Sequence, residues 1–198
     1  VSLQESASIL NRKRCQILPN LQEKVQDHLK KLGMPFAQFI VDFKEIDTYH
    51  NFGNTSISFL FSANKGIPLK EISKVASGGE LTRLMLAIKH ASSIKSGLDV
   101  LVFDEIDTGI SGEIASLMGD MMREISKSTQ LIAISHLPQI ASKADEHFKV
   151  IKSVVSNETI SDVIILNKEE RVEEIAKLLS GKEVTSAAFE NARVLLSQ

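Results

Sequence analysis

Two acidic residues, Asp104 and Glu105, directly follow the apolar run Val100–Phe103. Four apolar residues in a row are typical of a strand buried on both faces of a parallel sheet, and open α/β sheets bind ligands at the carboxyl ends of their strands. A buried carboxylate is costly unless it meets a cation or hydrogen-bond donors. The pair therefore predicts a metal site or a proton-transfer site. The alternative is that both side chains cap the next loop or face solvent.

A second polar pair, Ser135 and His136, ends the apolar run Leu131–Ile134. Ser135 could serve only as a helix cap, with Pro138 in the first turn of the helix. A single histidine after a strand is more often a loop residue than a catalytic one. The position of His136 beside the acidic strand end favours the catalytic interpretation.

Two consecutive glycines, Gly78 and Gly79, lie in the first turn of a predicted helix. Ser77 and Glu80 have the spacing of a capping box, which accounts for both of them without a ligand. The glycines lack such an explanation, because each costs ~1 kcal/mol relative to alanine in a helix. Bare backbone at a helix N-terminus lets a phosphate reach unpaired amides at the positive end of the helix dipole. The pattern predicts anion binding.

The elements that position these residues alternate between helix and strand, which predicts an α/β fold with parallel strands joined by right-handed crossovers. Two earlier strands are separated by a loop, and two later strands form a hairpin. The predicted helices are 78–95, 112–126, a short one from 137, 169–179 and 186–197, and the predicted strands are 37–43, 56–62, 99–103, 130–135, 146–155 and 159–166. Gly181 is the predicted stop of one late helix, and Thr185 is the predicted N-cap of the other.

Residues 1–32 read as a helix with two short stretches of apolar residues at heptad spacing. The first stretch is Leu3, Leu10 and Ile17, and the second is Leu18, Val25 and Leu32. Such a seam predicts the stump of a coiled-coil arm. A surface helix packed on its own domain explains the same pattern equally well. Pro19 lies at the shift between the stretches and is expected to kink or break the helix. The remaining residues, 33–198, form the predicted globular part.

Composition excludes several classes of protein. With 23 basic and 25 acidic residues the net charge is −2, so bulk charge does not draw the chain to nucleic acid or membranes. The single cysteine, Cys15, excludes an internal disulfide framework. No apolar run approaches the ~20 residues that a bilayer-spanning helix needs. The chain opens on Val1 inside a helical pattern, which suggests a piece of a longer protein.

Three motifs in a fixed order resemble the head of ABC-type ATPases. Ser77–Glu80 is similar to the signature motif, Leu101–Glu105 to the Walker B strand, and Ser135-His136 to the switch histidine, with Asp107–Gly112 at the position of the D-loop. Within this superfamily the chain resembles the RecN family, the bacterial SMC-like recombination and repair proteins. The stretches that carry this closer resemblance are Val75–Lys89, Phe103–Gly112, Ile134–Ala141 and Arg171–Ala176. The resemblance implies the C-terminal lobe of an ABC-type head, with a mostly parallel sheet flanked by helices.

The resemblance also implies roles for individual residues. Asp104 would hold Mg²⁺, Glu105 would be the general base for the attacking water, and His136 would contact the γ-phosphate. The signature residues would bind the γ-phosphate of ATP held by the opposite head. They are Ser77, Gly78, Gly79 and Glu80. The D-loop would pass communication between the two sites through Asp107, Thr108, Gly109, Ile110 and Ser111.

The sequence contains no P-loop, the pattern G-x-x-x-x-G-K-[S/T] that cradles a triphosphate. Its one Gly-Lys pair, Gly181-Lys182, lacks the upstream glycine. In SMC-like proteins the P-loop lies in the N-terminal half, so this chain alone is predicted to be inactive. The implied partners are that half, a second copy bound head to head, and DNA, with no membrane. The implied setting is repair of double-strand breaks in the bacterial cytoplasm, at the nucleoid.

Alternatives remain open at this point. The chain could belong to another SMC-like protein or to a transporter ATPase, although the helical start argues against a transporter domain. A module that pairs heads without hydrolysing ATP belongs to a different functional class. Two basic clusters on the first helix read as solvated faces rather than DNA contacts. They are Arg12-Lys13-Arg14 and Lys30-Lys31.

Overall fold

The computed structural model describes residues 2–75, 78–155, 158–181 and 183–197. The chain divides into two compact units, residues 1–101 with 128–130 and residues 102–127 with 131–198. Helices and strands occur in both units, which is the predicted α/β class. Within the described ranges, no helix has an apolar stretch long enough to cross a membrane.

The first unit consists of two helices packed with an antiparallel hairpin. Both predicted early strands are present and extend toward a tight turn, in which His50 pairs with Gly53. Phe39 and Phe61 face each other across the hairpin and are both buried. The elements are α1 (Leu3–Lys31), β1 (Gln38–His50), β2 (Gly53–Ser62), β3 (Lys70–Glu71) and α2 (Gly78–Ser96).

Helix α1 runs through Pro19 without a break, so a break there is excluded, while the alternative of a kink remains a prediction. A proline inside a helix costs about 3 kcal/mol, and packing on both sides of Pro19 opposes that cost. On the N-terminal side, Asn11 donates to Asn54 on β2 at 3.0 Å. On the C-terminal side, Val25 and Leu29 are completely buried.

Glutamine side chains of α1 cover the edge of the hairpin. Gln22 Oε1 accepts a hydrogen bond from the Val41 amide at 2.7 Å, and Gln26 Oε1 accepts one from the Phe39 amide at 3.4 Å. These amides lie on β1, the outer strand of the sheet β1-β2-β3. An outer strand otherwise leaves such donors open to another chain. The second half of α1 is therefore built into the domain.

The second unit begins within a strand–helix–strand segment, β4 (Val100–Phe103), α3 (Gly112–Ser126) and β5 (Gln130–Ala133). The Gln130 amide donates to the Asp99 carbonyl and the Ile134 amide to the Phe103 carbonyl, so the two strands run parallel. The other described strands pair antiparallel in small sheets of their own. The described strands are thus divided among three small sheets, and the predicted mostly parallel sheet is limited to β4 and β5.

Strand β4 is not buried on both faces, contrary to the prediction from its apolar run. Leu101 is 8% exposed, whereas Val102 is 62% exposed. Successive side chains of a strand point to opposite faces, and within the described residues only one face of β4 is covered. Ile132 and Ile134, on and after β5, are exposed as well.

The rest of the second unit is the short helix α4 (Pro138–Ala141), the hairpin β6 (Phe148–Val155) with β7 (Glu158–Ile165), and the helix pair α5 (Lys168–Ser180) and α6 (Ser186–Leu196). The hairpin and both late helices match their predictions. The two helices enclose a small core of Ile175, Ala176, Ala188 and Ala192. Thr185 caps α6 by accepting from the Ala188 amide, and Gly181 ends α5 as predicted.

Gly119 on α3 marks a close approach to the segment of α4. A β-carbon at Gly119 would lie 3.0 Å from the Gln139 carbonyl oxygen and 3.1 Å from Lys143 Cγ. Gly119→Val is therefore expected to lower the free energy of unfolding by about 2 kcal/mol, because overpacking displaces the backbone. Urea unfolding followed by circular dichroism measures this change. Glu113→Val is the control at an exposed position of the same helix, and equal losses in the two variants would contradict the packing argument.

Candidate functional site

The two acids after β4 lie at an exposed turn rather than in a buried site. Asp104 and Glu105 are both exposed, so the expectation of costly buried carboxylates is wrong. Glu105 has a φ of 50°, and no other described residue apart from glycine has a positive φ. This conformation costs ~1–3 kcal/mol, and residues that keep it cluster at active sites. The strain thus falls on the predicted general base.

The strain at Glu105 has a local cause. The backbone turns tightly after β4, with the Thr108 amide and hydroxyl donating to the Glu105 carbonyl at 3.2 and 3.0 Å. A second turn follows, in which the Ile110 amide donates to the Asp107 carbonyl at 3.2 Å. Gly109 has a φ of 74° and fits this turn without strain. Its predicted role in communication remains a prediction, as do those of Thr108, Ile110 and Ser111.

Asp107 is the buried carboxylate of this region, with a side chain only 2% exposed. Its Oδ2 atom accepts two hydrogen bonds from one neighbouring segment, from Ser135 Oγ at 2.6 Å and from the His136 amide at 2.7 Å. The His136 Nδ1 atom forms an ion-pair contact with the same oxygen at 2.9 Å. Asp107 thus joins the turn after β4 to the predicted switch histidine.

The environment of Asp107 favours its charged form. Burial opposes ionisation, but the hydrogen bonds from Ser135 and the His136 amide, with the nearby His136 ring, outweigh it and hold the pKa of Asp107 below its ordinary value. The carboxylate is therefore ionised at neutral pH. An ionised carboxylate only accepts hydrogen bonds, which suits the donors that Ser135 and the His136 amide present.

Ser135 has a different role from the one predicted for a helix cap. Helix α4 has Leu137 as its N-cap, with Pro138 in the first turn as predicted. The Ser135 hydroxyl accepts from the Leu137 amide at 3.1 Å while donating to Asp107. Sequence reasoning missed this link, for which the only signal was a polar pair at the end of an apolar strand.

A magnesium ion would find few protein ligands here. Among the described residues, no three His, Cys, Asp or Glu side chains form a group that could hold a metal ion. Asp104 offers an exposed carboxylate at the end of β4. Mg²⁺ commonly takes one or two carboxylates and completes its shell with water and substrate phosphates. Asp104 fits that pattern as a single protein ligand.

The glycine pair lies at the start of α2, in the first unit, as predicted. A β-carbon at Gly78 would meet no atom within 4 Å among those compared. Gly78 is exposed and helical, and Gly79 is buried. Neither a packing contact nor an unusual φ therefore explains the glycine at position 78. Ser77 lies outside the described residues, so the predicted capping box with Glu80 remains a prediction.

Arg83 connects the start of α2 to the end of α1, a link that sequence reasoning did not identify. Its Nε donates to the Gly79 carbonyl and its Nη1 to the Leu32 carbonyl, both at 3.1 Å. Burial lowers the pKa of Arg83, and the charge of Glu80 opposes that effect. The guanidinium thus fixes the first turn of α2 against the last residues of α1.

Curated RecN proteins align with nearly the whole chain, although no protein-family profile matches it. The chain is 42% identical over 192 residues to DNA repair protein RecN of Rickettsia conorii, covering 97% of this chain and 35% of that protein. It is 39% identical to RecN of Halalkalibacterium halodurans, and the match covers 97% of this chain and 34% of that protein. It is 36% identical to RecN of Haemophilus influenzae, and the match covers 98% of this chain and 35% of that protein. The chain spans about a third of the length of these relatives.

Solved structures of SMC head domains share the fold. An Smc head domain with a coiled coil and joint from Pyrococcus yayanosii matches with a TM-score of 0.65 at 21% identity, covering 85% of this chain and 30% of that chain. A chain from a study of ATP-driven dimerization and DNA-stimulated activation of SMC ATPases matches with a TM-score of 0.59 at 18% identity. This match covers 87% of the present chain and 99% of the other chain. The chain therefore has the fold of SMC heads, and its identity to curated relatives makes it a homologue of the RecN proteins, matched over about a third of their length.

Proposed function

We propose that this chain is the C-terminal part of the ATPase head of an SMC-like protein in DNA repair. The observation that carries the proposal is the arrangement around Asp107, which ties His136 to the turn that bears Asp104 and Glu105. These are the positions where an ABC-type head needs a metal ligand, a general base and a phosphate contact. The similarity to RecN proteins supports the assignment to DNA repair.

The two exposed acids have separate roles in this proposal. Asp104 supplies one oxygen ligand to Mg²⁺, which neutralises charge on the triphosphate. Glu105 accepts a proton from the water that attacks the γ-phosphate. Its backbone is left-handed, with a φ of 50°, and the Thr108 amide and hydroxyl hold it there by donating to the Glu105 carbonyl.

Ser77, Gly78, Gly79 and Glu80 bind the γ-phosphate of ATP on a second copy of the head. Backbone amides at the start of a helix suit an anion, and the open space at Gly78 supports a contact from outside the chain. ATP then joins two heads, and hydrolysis releases them. The D-loop, Asp107 to Ser111, connects the two sites. The name of one solved neighbour, which speaks of ATP-driven dimerization of SMC ATPases, agrees with this mechanism.

The P-loop comes from the N-terminal half of the protein, outside this chain. Exposed apolar side chains on and after β4 and β5 support a covering partner. They are Val102, Ile132 and Ile134, which are 62%, 47% and 56% exposed. The N-terminal half completes the sheet here and brings the lysine that binds the triphosphate. Without it the chain does not hydrolyse ATP.

Helix α1 is the base of a coiled-coil arm in this proposal. Ala7, Asn11, Val25 and Leu29 face the domain and are buried. Other apolar side chains of the helix stay open, because Leu3, Ile9 and Ile17 are 66%, 49% and 61% exposed. A second helix packs on this side in the full-length protein.

DNA binding belongs to the full-length protein in the bacterial cytoplasm, at the nucleoid. The basic clusters of α1 give it little support, because two of their members have other partners. Arg14 donates to Thr55 at 2.6 Å, and Lys30 pairs with Asp27 at 2.9 Å. The assignment to DNA therefore depends on the similarity to RecN proteins.

Light scattering on the full-length protein tests the head-pairing mechanism. With ATP and Mg²⁺, the fraction of paired heads is expected to rise above that with ADP. ATP analogues that resist hydrolysis should hold the paired state longest. Equal masses with ATP, ADP and no nucleotide would contradict the mechanism and favour a module that pairs independently of ATP.

A further inference from the structure

The hydrogen bonds on Asp107 are unevenly distributed. Ser135 Oγ and the His136 amide both donate to one oxygen, Oδ2, and His136 Nδ1 lies 2.9 Å from the same atom. The Asp107 side chain is 2% exposed, whereas that of His136 is 76% exposed. The imidazole therefore has little surrounding packing to fix its orientation, and its bond to Asp107 ties it to a rigid, buried group.

We propose that Asp107 is a positioning residue that acts through His136, holding its ring by Nδ1 so that Nε2 faces the nucleotide. This inference deepens the proposed function and rests on it. It assigns Asp107 a role within its own head, in addition to the communication between heads that the D-loop resemblance implies. Ser135 supports the same carboxylate by donating its hydroxyl to Oδ2.

The geometry limits what the His136 ring can do. Nδ1 lies beside an ionised carboxylate, and a neutral ring with its proton on Nδ1 keeps its lone pair on Nε2. Nε2 then accepts a hydrogen bond from water. In the protonated ring Nε2 donates to a phosphate oxygen. Both interactions require the ring direction that the contact between Nδ1 and Oδ2 sets.

The bond to the His136 amide strengthens the argument. Oδ2 holds the backbone and the ring of the same residue, at 2.7 and 2.9 Å. A carboxylate that merely stabilised the loop would need only the backbone bond. Holding both fixes the side-chain rotamer relative to the main chain. Partners that orient a histidine in this way commonly affect activity by 10- to 100-fold in metal sites.

A double-mutant cycle in the full-length protein tests the proposal. Asp107→Asn keeps the shape of the side chain but removes its charge, and it is expected to lower kcat for ATP hydrolysis by about 10-fold or more. KM for ATP and ATP-driven pairing should change by less than about 2-fold. In a His136→Ala background, Asp107→Asn should cause no further loss of kcat, because its effect passes through the missing ring. Asp120→Asn, at an exposed carboxylate paired with Lys143, is the matched control and should leave kcat unchanged.

If Asp107→Asn lowers kcat by the same factor with His136 and with His136→Ala, the proposal is overturned and Asp107 is a structural residue. Thermal unfolding checks whether the variants fold. If Asp107→Asn does not fold, Ser135→Ala removes one bond to Oδ2 and keeps the carboxylate. Ser135→Ala should lower kcat by a few-fold when His136 is present and should not lower it in the His136→Ala background. Equal losses of kcat in the two backgrounds would again overturn the proposal. A wild-type protein without ATP hydrolysis would overturn the proposed function itself, which separates the two failures.

Discussion

Gly78→Ala in the full-length protein is expected to weaken ATP-driven pairing of heads by about 10- to 100-fold without destabilising the fold. The methyl group faces open space in this chain. In the paired state it would stand between the backbone amides of α2 and the γ-phosphate, and each charge-assisted hydrogen bond lost there is worth ~1.5–3 kcal/mol. Light scattering against ATP concentration measures the loss.

The same substitution should leave stability unchanged or raise it, because alanine favours a helix over glycine by up to ~1 kcal/mol. Ser92→Ala, an exposed position near the other end of α2, is the control and should pair normally. A Gly78→Ala protein that pairs as well as wild type would contradict the role of the signature motif. A marked fall in its melting temperature would show that the glycine serves the fold.

Glu105→Gln should lower ATP turnover by about 100-fold or more, the usual contribution of a general base. Glutamine has the same size but does not take up the proton of the attacking water. ATP-driven pairing should survive and persist longer, because the step that releases the heads is slowed. Single-turnover hydrolysis and light scattering measure the two effects.

Glu113→Gln, at an exposed acid in the first turn of α3, is the control for a lost surface charge. It should leave turnover unchanged. A Glu105→Gln protein with wild-type turnover would move the role of base to another residue. Loss of both turnover and pairing would assign Glu105 to nucleotide binding instead.

Most secondary structure could be predicted from local patterns. Helix α3 was expected at 112–126 and occupies Gly112–Ser126, because its apolar period and its flanking residues agree. The cap at Thr185 and the stop at Gly181 followed from residue type alone. Such features depend on neighbours in the chain, so the sequence holds their cause directly.

Tertiary effects explain the failures. Pro19 favours a break in α1, but contacts such as that of Asn11 with Asn54, 43 residues away in the chain, hold the helix together. The apolar run of β4 suggests a strand covered on both faces, yet the exposure of Val102 depends on what packs against it. Neither contact leaves a signal in the local pattern.

For the candidate site, the sequence offers candidate residues but not the connections between them. Asp104, Glu105 and His136 could be named from the ends of two apolar strands. The buried position of Asp107 and its bonds to Ser135 and His136 could not, because a hydrogen bond across 28 or 29 residues requires the fold. An acid four residues beyond a strand looks like any loop residue.

The most direct test of the account is steady-state ATP turnover, measured with Mg²⁺ for this chain alone and for the same chain combined with the N-terminal half of the protein. We expect turnover only in the combination, because the P-loop and the residues of this chain are both needed. Turnover by this chain alone would contradict it, since a complete phosphate site would then lie within these 198 residues.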